Sequence, residues 1–426
     1  MDLPKAIIDR CNEYYGKILP KNKKLAELYK NCYPNTLETA VVPKEDGTYF
    51  VLTGDIPAMW LRDSTAQVSH YIPVAAYDDE VKGIIRGVIR RQMMYIEIDS
   101  YANAFNEEAN GRGMEEDLPK NLPWVWERKY EIDSLCYPFR LAYLYWKATG
   151  DDTIIDERFM SCANIAVRQW TLEQHHENSL YRFFRNTKLD TDTIHNKGCG
   201  APVSYTGMTW SGFRPSDDAC TYGYLIPSNM FAVVVLGYII EMVSSKFSSD
   251  NTLIFECSAL RDTIEEGIKK YACVEHEKYG KIYACETDGM GHYTLMDDAN
   301  VPSLLSIPYI GYTDAGDEIY QNTRKFILSK DNPYYFEGKF AKGIGSPHTP
   351  DNYIWHIALS MQGLTADNPD EVREILDMIC RTDADTGFMH EGFNADDPSI
   401  FTRPWFTWSN SLFAELVEMA VDKGII

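Results

Sequence analysis

The stretch Gly54-Asp-Ile-Pro-Ala-Met-Trp-Leu-Arg-Asp-Ser64 places two aspartates, an arginine and a tryptophan within eleven residues. An apolar, strand-like run at 49–53 precedes it, and a predicted helix at 64–77 follows it. Charged groups between two packed elements cost free energy unless each one finds a partner or a ligand. The stretch is therefore predicted to belong to a binding site at the start of a helix.

Helical periodicity of apolar residues dominates the chain, and strand-like runs are few. Helices are predicted at 5–30 (one or two helices), 64–77, 81–98, 132–149, 153–175, 229–244, 251–273, 301–308, 315–329, 353–364, 369–381 and 409–423. Strands are predicted only at 49–53, 181–186 and 281–285. Gly150 is a predicted C-terminal cap, Ser228 a predicted N-terminal cap and Pro369 a predicted helix start. The predicted fold class is all-α.

Six clusters of polar and aromatic residues recur along the chain, and each precedes or opens a strongly apolar helix. They span 54–67, 124–138, 205–223, 286–305, 343–356 and 387–410. This rhythm predicts an (α/α)6 barrel of six helical hairpins, with the clusters in long loops and minor β strands at one end. We expect a single domain over residues 1–426, because the sequence contains no linker rich in Gly, Pro or Ser. The alternative is a series of ordinary helices with unrelated loops.

Composition narrows the class of ligand. The net charge of −22, from 63 acidic and 41 basic residues, disfavours nucleic acid and anionic membranes as partners. Aromatic residues make up 13% of the chain, and many stand beside Asp, Glu, Asn or Gly. Such rings suit a neutral polyhydroxyl ligand, because a sugar presents C–H faces as well as hydroxyl edges. The alternative is that the rings only fill a large core.

The ten cysteines lie far apart and show no Cys-x-x-Cys spacing. We expect buried free thiols in a reducing compartment and no structural zinc. No apolar run approaches the ~20 residues of a membrane helix, and the first residues lack the pattern of a secretion signal. The sequence therefore predicts a cytoplasmic protein without a membrane partner.

The first two clusters contain several candidates for ligand contact. Arg62 beside Asp63 offers the donor and acceptor that a vicinal diol requires. Asp55 is expected in an arginine–carboxylate network that locks the loop. Trp60 either packs in the core or lines the pocket, and Asp133 either caps the following helix or faces the pocket.

Two other clusters contain candidate proton-transfer groups. Asp217 and Asp218 are adjacent, so each raises the other's affinity for a proton, which suits a general acid near neutral pH. Because neighbouring side chains diverge, only one of them is expected to reach a substrate; the alternative is that both cap a helix after Pro215. Glu391 stands in a loop crowded with rings, where it is either salt-bridged, for example to Arg403, or a catalytic base.

The remaining clusters raise the question of a metal. Glycines beside Asp298 and His292 permit close backbone approach, but the spacing of the acids matches no calcium loop, so no metal is predicted. His348 stands between two prolines on a rigid loop and not on an apolar face. That position favours ligand contact.

Four motifs together resemble glycoside hydrolase family 125, the microbial exo-α-1,6-mannosidases. They are Gly54-Asp-Ile-Pro-Ala-Met-Trp-Leu-Arg-Asp-Ser, Phe213-Arg-Pro-Ser-Asp-Asp-Ala, Ser346-Pro-His-Thr-Pro and His390-Glu-Gly-Phe. The resemblance spans nearly the whole chain. It implies an (α/α)6 barrel that hydrolyses α-1,6-linked mannosides or N-glycan fragments with inversion of the anomeric configuration, without a metal or other cofactor.

The resemblance also implies roles for individual residues. Asp218 would be the general acid and Glu391 the general base. The subsite for the terminal mannose would be lined by Trp60, Arg62, Asp63, Asp133, Asn300 and His348. In an inverting hydrolase the two carboxyl groups stand ~6.5–9.5 Å apart, which leaves room for a water molecule. The alternatives are another α/α-barrel enzyme, such as an α-glucosidase or a sugar epimerase, and a catalytically silent glycan-binding protein.

Overall fold

A computed structural model describes residues 2–247 and 252–426 as a mainly helical protein, as the sequence predicts. Its helices are α1 (Lys5–Ile18), α2 (Lys23–Cys32), α3 (Asn35–Thr39), α4 (Leu61–Ser69), α5 (Ile72–Ala75), α6 (Asp79–Ile98), α7 (Ile132–Thr149), α8 (Glu157–Glu173), α9 (His195–Gly198), α10 (Ile226–Lys246), α11 (Thr252–Tyr271), α12 (Ile307–Ile310), α13 (Glu318–Ile327), α14 (His356–Leu364), α15 (Pro369–Cys380) and α16 (Thr407–Asp422). Its strands are β1 (Val41–Pro43), β2 (Tyr49–Val51), β3 (Met59–Trp60), β4 (Ala104–Phe105), β5 (Asp117–Leu118), β6 (Val125–Glu127), β7 (Phe184–Arg185), β8 (Tyr224–Leu225), β9 (Cys273–His276), β10 (Gly280–Tyr283), β11 (Glu286–Thr287), β12 (Tyr293–Thr294), β13 (Tyr335–Glu337), β14 (Lys342–Ile344), β15 (Tyr353–Trp355), β16 (Gly392–Asn394) and β17 (Asp397–Phe401).

Six helices form an inner ring, in the order α4, α7, α10, α12, α14 and α16. Along this ring α4 packs on α7, α7 on α10, α10 on α12 and α14 on α16, and α16 returns to α4. Each inner helix begins within or directly after one of the six polar-aromatic clusters. The predicted (α/α)6 barrel is confirmed.

An outer ring consists of α2, α6, α8, α11, α13 and α15. In this ring α6 packs on α8, α8 on α11 and α15 on α2, while α6, α11, α15 and α2 also contact inner helices. Five outer helices have a side-chain N-cap, in which an Asn or Asp accepts a backbone N–H of the first turn. The capping residues are Asn22, Asp78, Asp156, Asp317 and Asn368.

Three small antiparallel sheets join the six clusters in pairs. Strands β3 and β6, which lead towards α4 and α7, both pair with β4. Strand β8 leads into α10 and pairs with β11, which also pairs with β12 ahead of α12. Strand β15 leads into α14 and pairs with β16, which pairs with β17 ahead of α16. The sheets therefore hold the loops side by side at the N-terminal end of the inner ring.

Some predicted boundaries are wrong. Helix α4 starts at Leu61, before the predicted 64, because β3 runs directly into it, and it ends at Ser69 ahead of a separate turn, α5. The predicted strand at 181–186 is reduced to β7. Gly150 is confirmed as the C-terminal cap of α7, since it adopts φ 68° and its N–H donates to Trp146 O.

Two other predictions at this end of the barrel are also wrong. The predicted helix at 301–308 shrinks to α12, because Asp297 accepts the N–H groups of Leu304 (2.8 Å) and Leu305 (3.0 Å) and holds the preceding residues in a loop. Helix α10 begins before Ser228, so this residue is not its N-cap. The Ser228 hydroxyl donates instead to Asp133 (3.4 Å).

One hydrophobic core extends from Ile7 in α1 to Ala420 in α16. The expectation that no apolar run approaches the length of a membrane helix is wrong for α10, which alone among the described helices is long and apolar enough to cross a membrane. It is an inner-ring helix packed against α7 and α11, and 67% of its most apolar segment is buried. Burial in the barrel therefore explains its composition. All ten cysteines are free thiols, and six of them are buried.

Candidate active site

Arg62 lies in the first turn of α4, where its side chain contacts several carboxyl groups of the site. Its Nη1 donates to Glu131 (2.5 Å) and Asp133 (3.1 Å). Its Nη2 donates to Asp217 (3.1 Å), and its Nε lies 3.4 Å from Asp63 Oδ1. One buried cation therefore holds four carboxyl groups from three of the six clusters.

Burial and the charge of Arg62 set the protonation of this group. Burial raises the pKa of Asp63 to about 6, although the Arg62 guanidinium acts in the opposite direction. Burial also raises the pKa of Glu131 and of Asp133. Burial alone would lower the pKa of Arg62, but the surrounding carboxylates raise it. Arg62 therefore stays charged, while these three carboxyl groups hold protons more tightly than exposed ones do.

The contacts of Arg62 show a role that sequence reasoning missed. The sequence predicts that Arg62 and Asp63 bind a diol, which stays a prediction; in the protein, Arg62 already joins the loops that carry the acids. Asp133 lies inside the first turn of α7, whose cap position is Glu131. The alternative in which Asp133 caps the helix is therefore wrong.

Asp217 and Asp218 lie in a hairpin bend ahead of α10. The backbone N–H of Arg214 donates to the carbonyl of Asp218 (2.8 Å), and Asp217 adopts a left-handed φ of 67°. The Asp217 side chain consequently points to Arg62. The Asp218 side chain points to His348, with Oδ1 3.3 Å from Nδ1. The predicted divergence of the two carboxyl groups is confirmed, and neither of them caps α10.

The two aspartates therefore have different environments. Burial would raise the pKa of Asp217, but the charges of Arg62 and Lys129 hold it well below its usual range. Asp217 is thus a permanently charged partner of these cations, and not a proton donor. The Oδ2 atom of Asp218 is buried and has no hydrogen-bond partner in the part of the chain that the structure describes. Of the pair, only Asp218 has a buried oxygen without a hydrogen-bond partner among the described residues.

A buried ion pair braces the hairpin against the next loop. Arg214 Nε donates to Glu286 Oε1 (2.6 Å), and Glu286 Oε2 accepts two backbone N–H groups of the hairpin (3.0 and 2.9 Å). The Ser216 hydroxyl donates to Asp298 Oδ2 (2.7 Å). Sequence reasoning missed the role of Glu286, because no local pattern links it to Arg214, 72 positions away.

His348 connects the acid and base candidates electrostatically. Burial would lower its pKa, but the hydrogen bond to Asp218 and the negative charges of Asp218 and Glu391 raise it to about 9. The imidazole is therefore a cation at neutral pH, even though 39% of the side chain is exposed. His348 therefore lies close enough to both carboxyl groups for their charges to raise its pKa.

Glu391 lies directly ahead of β16, and 9% of its side chain is exposed. Its Oε1 is 3.7 Å from Nη1 of Arg403, which is its ion-pair partner as the sequence suggested. This distance is longer than a hydrogen bond, so the carboxylate keeps its acceptor sites. Arg403 Nε also donates to Asp55 (2.8 Å), which confirms the predicted locking network around Asp55.

Several candidate residues carry a buried polar atom without a hydrogen-bond partner among the described residues. They are Trp60 Nε1, Asp218 Oδ2, Asp298 Oδ1 and Asn300 Oδ1, together with Arg62 Nε and Asp63 Oδ1, which make only a 3.4 Å ion-pair contact with each other. Buried polar groups in folded proteins are nearly always paired, so a set of unpaired ones at one site indicates groups that serve a polar ligand. Trp60 packs outside the main core, with Ala58 and Ala104, which favours the pocket-lining alternative.

The acidic fourth cluster is held together by protein contacts. Asp288 pairs with His292 (2.6 Å), and Asp297 accepts the two backbone N–H groups described above. Within the described residues, 2–247 and 252–426, no group of three His, Cys, Asp or Glu side chains is arranged to hold a metal ion.

Comparison with known proteins identifies the family. A sequence model of the family described as metal-independent alpha-mannosidase (GH125) matches residues 22–418. The chain belongs to glycoside hydrolase family 125. It is therefore a glycoside hydrolase, a metal-independent α-mannosidase, and the resemblance carried by the four motifs is confirmed.

The family 125 chain is also similar to two solved structures and to one eukaryotic protein. A metal-independent α-mannosidase from Streptococcus pneumoniae, in a non-productive complex with α-1,6-mannobiose, is 48% identical with a TM-score of 0.97 over 99% of both chains. The meiotically up-regulated gene 157 protein of Schizosaccharomyces pombe is 38% identical over 93% of this chain and 82% of that protein. A bacterial glucoamylase complexed with acarbose is 12% identical, with a TM-score of 0.55 over 97% of this chain and 57% of that chain. The glucoamylase shares the barrel fold alone.

Proposed function

We propose that this chain is an exo-acting α-1,6-mannosidase that removes a non-reducing terminal mannose with inversion of the anomeric configuration. The observation that carries the proposal is its 48% identity to the Streptococcus pneumoniae α-mannosidase whose structure contains α-1,6-mannobiose. The substrates are α-1,6-linked mannosides or N-glycan fragments.

Asp218 is the general acid of the proposed mechanism. In its protonated form it donates the Oδ2 proton to the glycosidic oxygen while the bond from that oxygen to the anomeric carbon breaks. The carboxylate that remains pairs with the cationic His348. Support comes from its Oδ2, which is buried and lacks a partner in the described chain, while its Oδ1 is held by His348. The backbone hairpin and the ion pair of Arg214 with Glu286 fix the position of this carboxyl group.

Glu391 is the general base. It removes a proton from water as the water oxygen bonds to the anomeric carbon on the face opposite the leaving group. Support comes from the order of the inner ring: Asp218 precedes α10 and Glu391 precedes α16, the third and sixth of six helices. Such positions lie across the barrel from each other, which suits an acid and a base that act on opposite faces of one sugar ring.

The terminal mannose is held by residues that open the inner helices. The proposed contacts are Trp60, Arg62, Asp63, Asp133, Asn300 and His348. Four of these six carry a buried polar atom without a hydrogen-bond partner among the described residues, and a fifth, His348, is charged and reaches Asp218. Hydroxyl groups of a sugar would pair these atoms in both directions, as donors and as acceptors.

NMR of the first anomer released from α-1,6-mannobiose tests linkage and stereochemistry together. We expect β-mannose before mutarotation. Initial release of α-mannose would contradict inversion and indicate a covalent intermediate.

A panel of linkage-defined mannose and glucose disaccharides tests substrate choice. We expect rapid hydrolysis of the α-1,6-linked mannose disaccharide only. Preferential cleavage of a glucose disaccharide would favour the α-glucosidase alternative, product isomerisation would favour an epimerase, and the absence of free sugar would favour a binding protein.

We also propose a cytoplasmic location, supported by ten free thiols of which six are buried. Fractionation of cells that express the chain, probed with an antibody, tests it. Recovery outside the cell or with the membrane fraction would contradict the location.

A further inference from the structure

The stretch that opens α4 is joined to the loop that carries the base. Gly54 adopts φ 75°, and a Cβ atom built on it would lie 2.0 Å from the carbonyl oxygen of Trp405. The backbone N–H of the next residue, Asp55, donates to that same carbonyl (3.2 Å). Only glycine allows the two backbones to approach so closely, so this contact is built into the fold.

Arg403 strengthens this junction with its side chain. It donates to the Asp55 carboxylate through Nε (2.8 Å) and to the carbonyl of Thr53, and its Nη2 lies 2.6 Å from Asp55 Oδ1. Its guanidinium carbon also sits 4.5 Å from the ring centre of Phe406. The remaining nitrogen, Nη1, points to Glu391 Oε1 at 3.7 Å. The guanidinium group of Arg403 thus contacts both the start of the 54–64 stretch and the carboxylate of Glu391.

The backbone keeps Glu391 and Arg403 together. The residue after Glu391, Gly392, and the residue before Arg403, Thr402, are linked by two hydrogen bonds (2.8 and 3.0 Å). Arg403 itself adopts a left-handed φ of 50°, which is unusual for a side chain of this size. Among the described residues, Arg403 is the only cation within ion-pair distance of Glu391.

We infer that Arg403 is a positioning residue for the general base: anchored by Asp55, it holds its positive charge beside the Glu391 carboxylate and aims that carboxylate at the water molecule. The inference rests on the proposed function, because it requires Glu391 to be the base. Asp55 then anchors Arg403. The 54–64 stretch thus positions the base through Gly54 and Asp55, and binds the sugar through Arg62 and Asp63.

The pH dependence of kcat/KM measures this role, because its acidic limb reports the essential base of the free enzyme. For Arg403→Gln we expect the limb to move to higher pH by about one unit, because a nearby cation no longer favours the carboxylate. We expect kcat to fall about 10–100-fold with a smaller change in KM. Arg403→Lys should restore the limb but only part of kcat, since a lysine cannot span both acceptors as a guanidinium does.

Asp55→Asn provides a test in the opposite direction. It removes a negative charge and frees Arg403, so the acidic limb should stay in place or move to lower pH while kcat falls. A matched control is Arg10→Gln, because Arg10 forms a similarly shielded ion pair with Glu418 (2.7 Å) far from the site. This control should change the melting temperature without moving the limb.

Two outcomes separate this inference from the function on which it rests. If Glu391→Gln retains activity, the assignment of the base is wrong. If Glu391→Gln is inactive but Arg403→Gln and Arg403→Lys keep the wild-type limb and kcat, only the role of Arg403 is wrong. If Arg403→Gln fails to fold, Arg403→Lys and Asp55→Asn decide, because both retain a polar side chain of similar size.

Discussion

The outer and inner helices of the barrel begin in different ways. Five outer helices start at an Asn or Asp side chain that accepts a first-turn N–H, whereas no inner helix has a side-chain cap among the described residues. The inner helices start instead from short strands or loops of the polar clusters. A helix without a side-chain cap leaves its first N–H groups and the positive end of its dipole open to other partners.

Among the inner helices, the first N–H groups of α4, α7 and α10 donate to other loops, to Asn103 O (3.1 Å), Ser211 Oγ (3.4 Å) and Cys285 O (2.8 Å) respectively. Asp63 lies in the first turn of α4 and Asp133 in the first turn of α7, where a negative charge is favourable. The first-turn N–H groups of the capped outer helices thus have an acceptor in the adjacent capping residue, whereas those of α4, α7 and α10 find acceptors on other loops. The outer ring therefore contributes mainly to stability, and the N-terminal ends of the inner ring contribute to function. Five predictions test this division.

The largest expected effect is on the acid and the base. Asp218→Asn and Glu391→Gln should each lower kcat on α-1,6-mannobiose by about 10³-fold, because each loses one proton transfer. An aryl mannoside with a good leaving group needs no acid, so it should rescue Asp218→Asn and not Glu391→Gln. Near-wild-type kcat in either folded variant, or rescue of the wrong one, would contradict the assignment.

The next largest effect is expected for Arg62, the buried cation of the site. Arg62→Met leaves buried carboxyl groups without their cation and should lower the free energy of unfolding by about 3–5 kcal/mol. The outer-ring control is Arg324→Met, which breaks a pair with Glu371 (2.8 Å) that is partly exposed and should cost about 1 kcal/mol or less. Denaturant titration measures both. Equal losses would contradict the division between the rings.

A pair of glycines tests the junction of the first and last clusters. Gly47 and Gly54 have nearly the same φ, 76° and 75°, but only Gly54 has a neighbour in the way of a Cβ atom. Gly47→Ala should cost about 1 kcal/mol of unfolding free energy, from backbone strain alone. Gly54→Ala should cost about 2 kcal/mol more, because the Cβ atom displaces Trp405, and it should lower kcat as well. Similar losses of stability and activity in both variants would refute the close approach as a functional feature.

A smaller effect depends on pH. The pKa of His348 is about 9 in the folded protein and about 6.5 in an unfolded chain. Its protonation therefore stabilises the fold fully below about pH 6.5, and this contribution is lost as the pH rises through 9. Because the side chain is 39% exposed, screening limits the contribution to about 1 kcal/mol. Between pH 6.5 and 9, the melting temperature of the wild type should fall more than that of His348→Asn; parallel curves would contradict the ion pair.

The smallest effect is confined to stability. Asp78 caps α6 by accepting the N–H of Val81 (2.9 Å). Asp78→Ala should lower the free energy of unfolding by about 1 kcal/mol and leave kcat/KM unchanged, whereas Asp78→Asn should keep the cap. A loss of kcat/KM in the folded Asp78→Ala variant would show that the outer ring also tunes the site.

Features with a local signal could be predicted from the sequence. Apolar periodicity and the six clusters predicted the barrel, and the adjacency of Asp217 and Asp218 predicted that their side chains diverge. The motif around Glu391 suggested both a base and a contact with Arg403. Helix boundaries at the site were predicted least well, because there Asp297 and the short sheets override local propensity.

The sequence by itself determined the family, the fold class and the residue types that make up the site, since these depend on local patterns and on motifs. Only the tertiary structure decided which charge meets which. It gave Arg62 four carboxyl neighbours, turned the Asp217 side chain towards Arg62 and joined Arg403 to both Asp55 and Glu391. The physical reason is that electrostatic interactions depend on distance in space, and the barrel brings together groups that lie far apart along the chain.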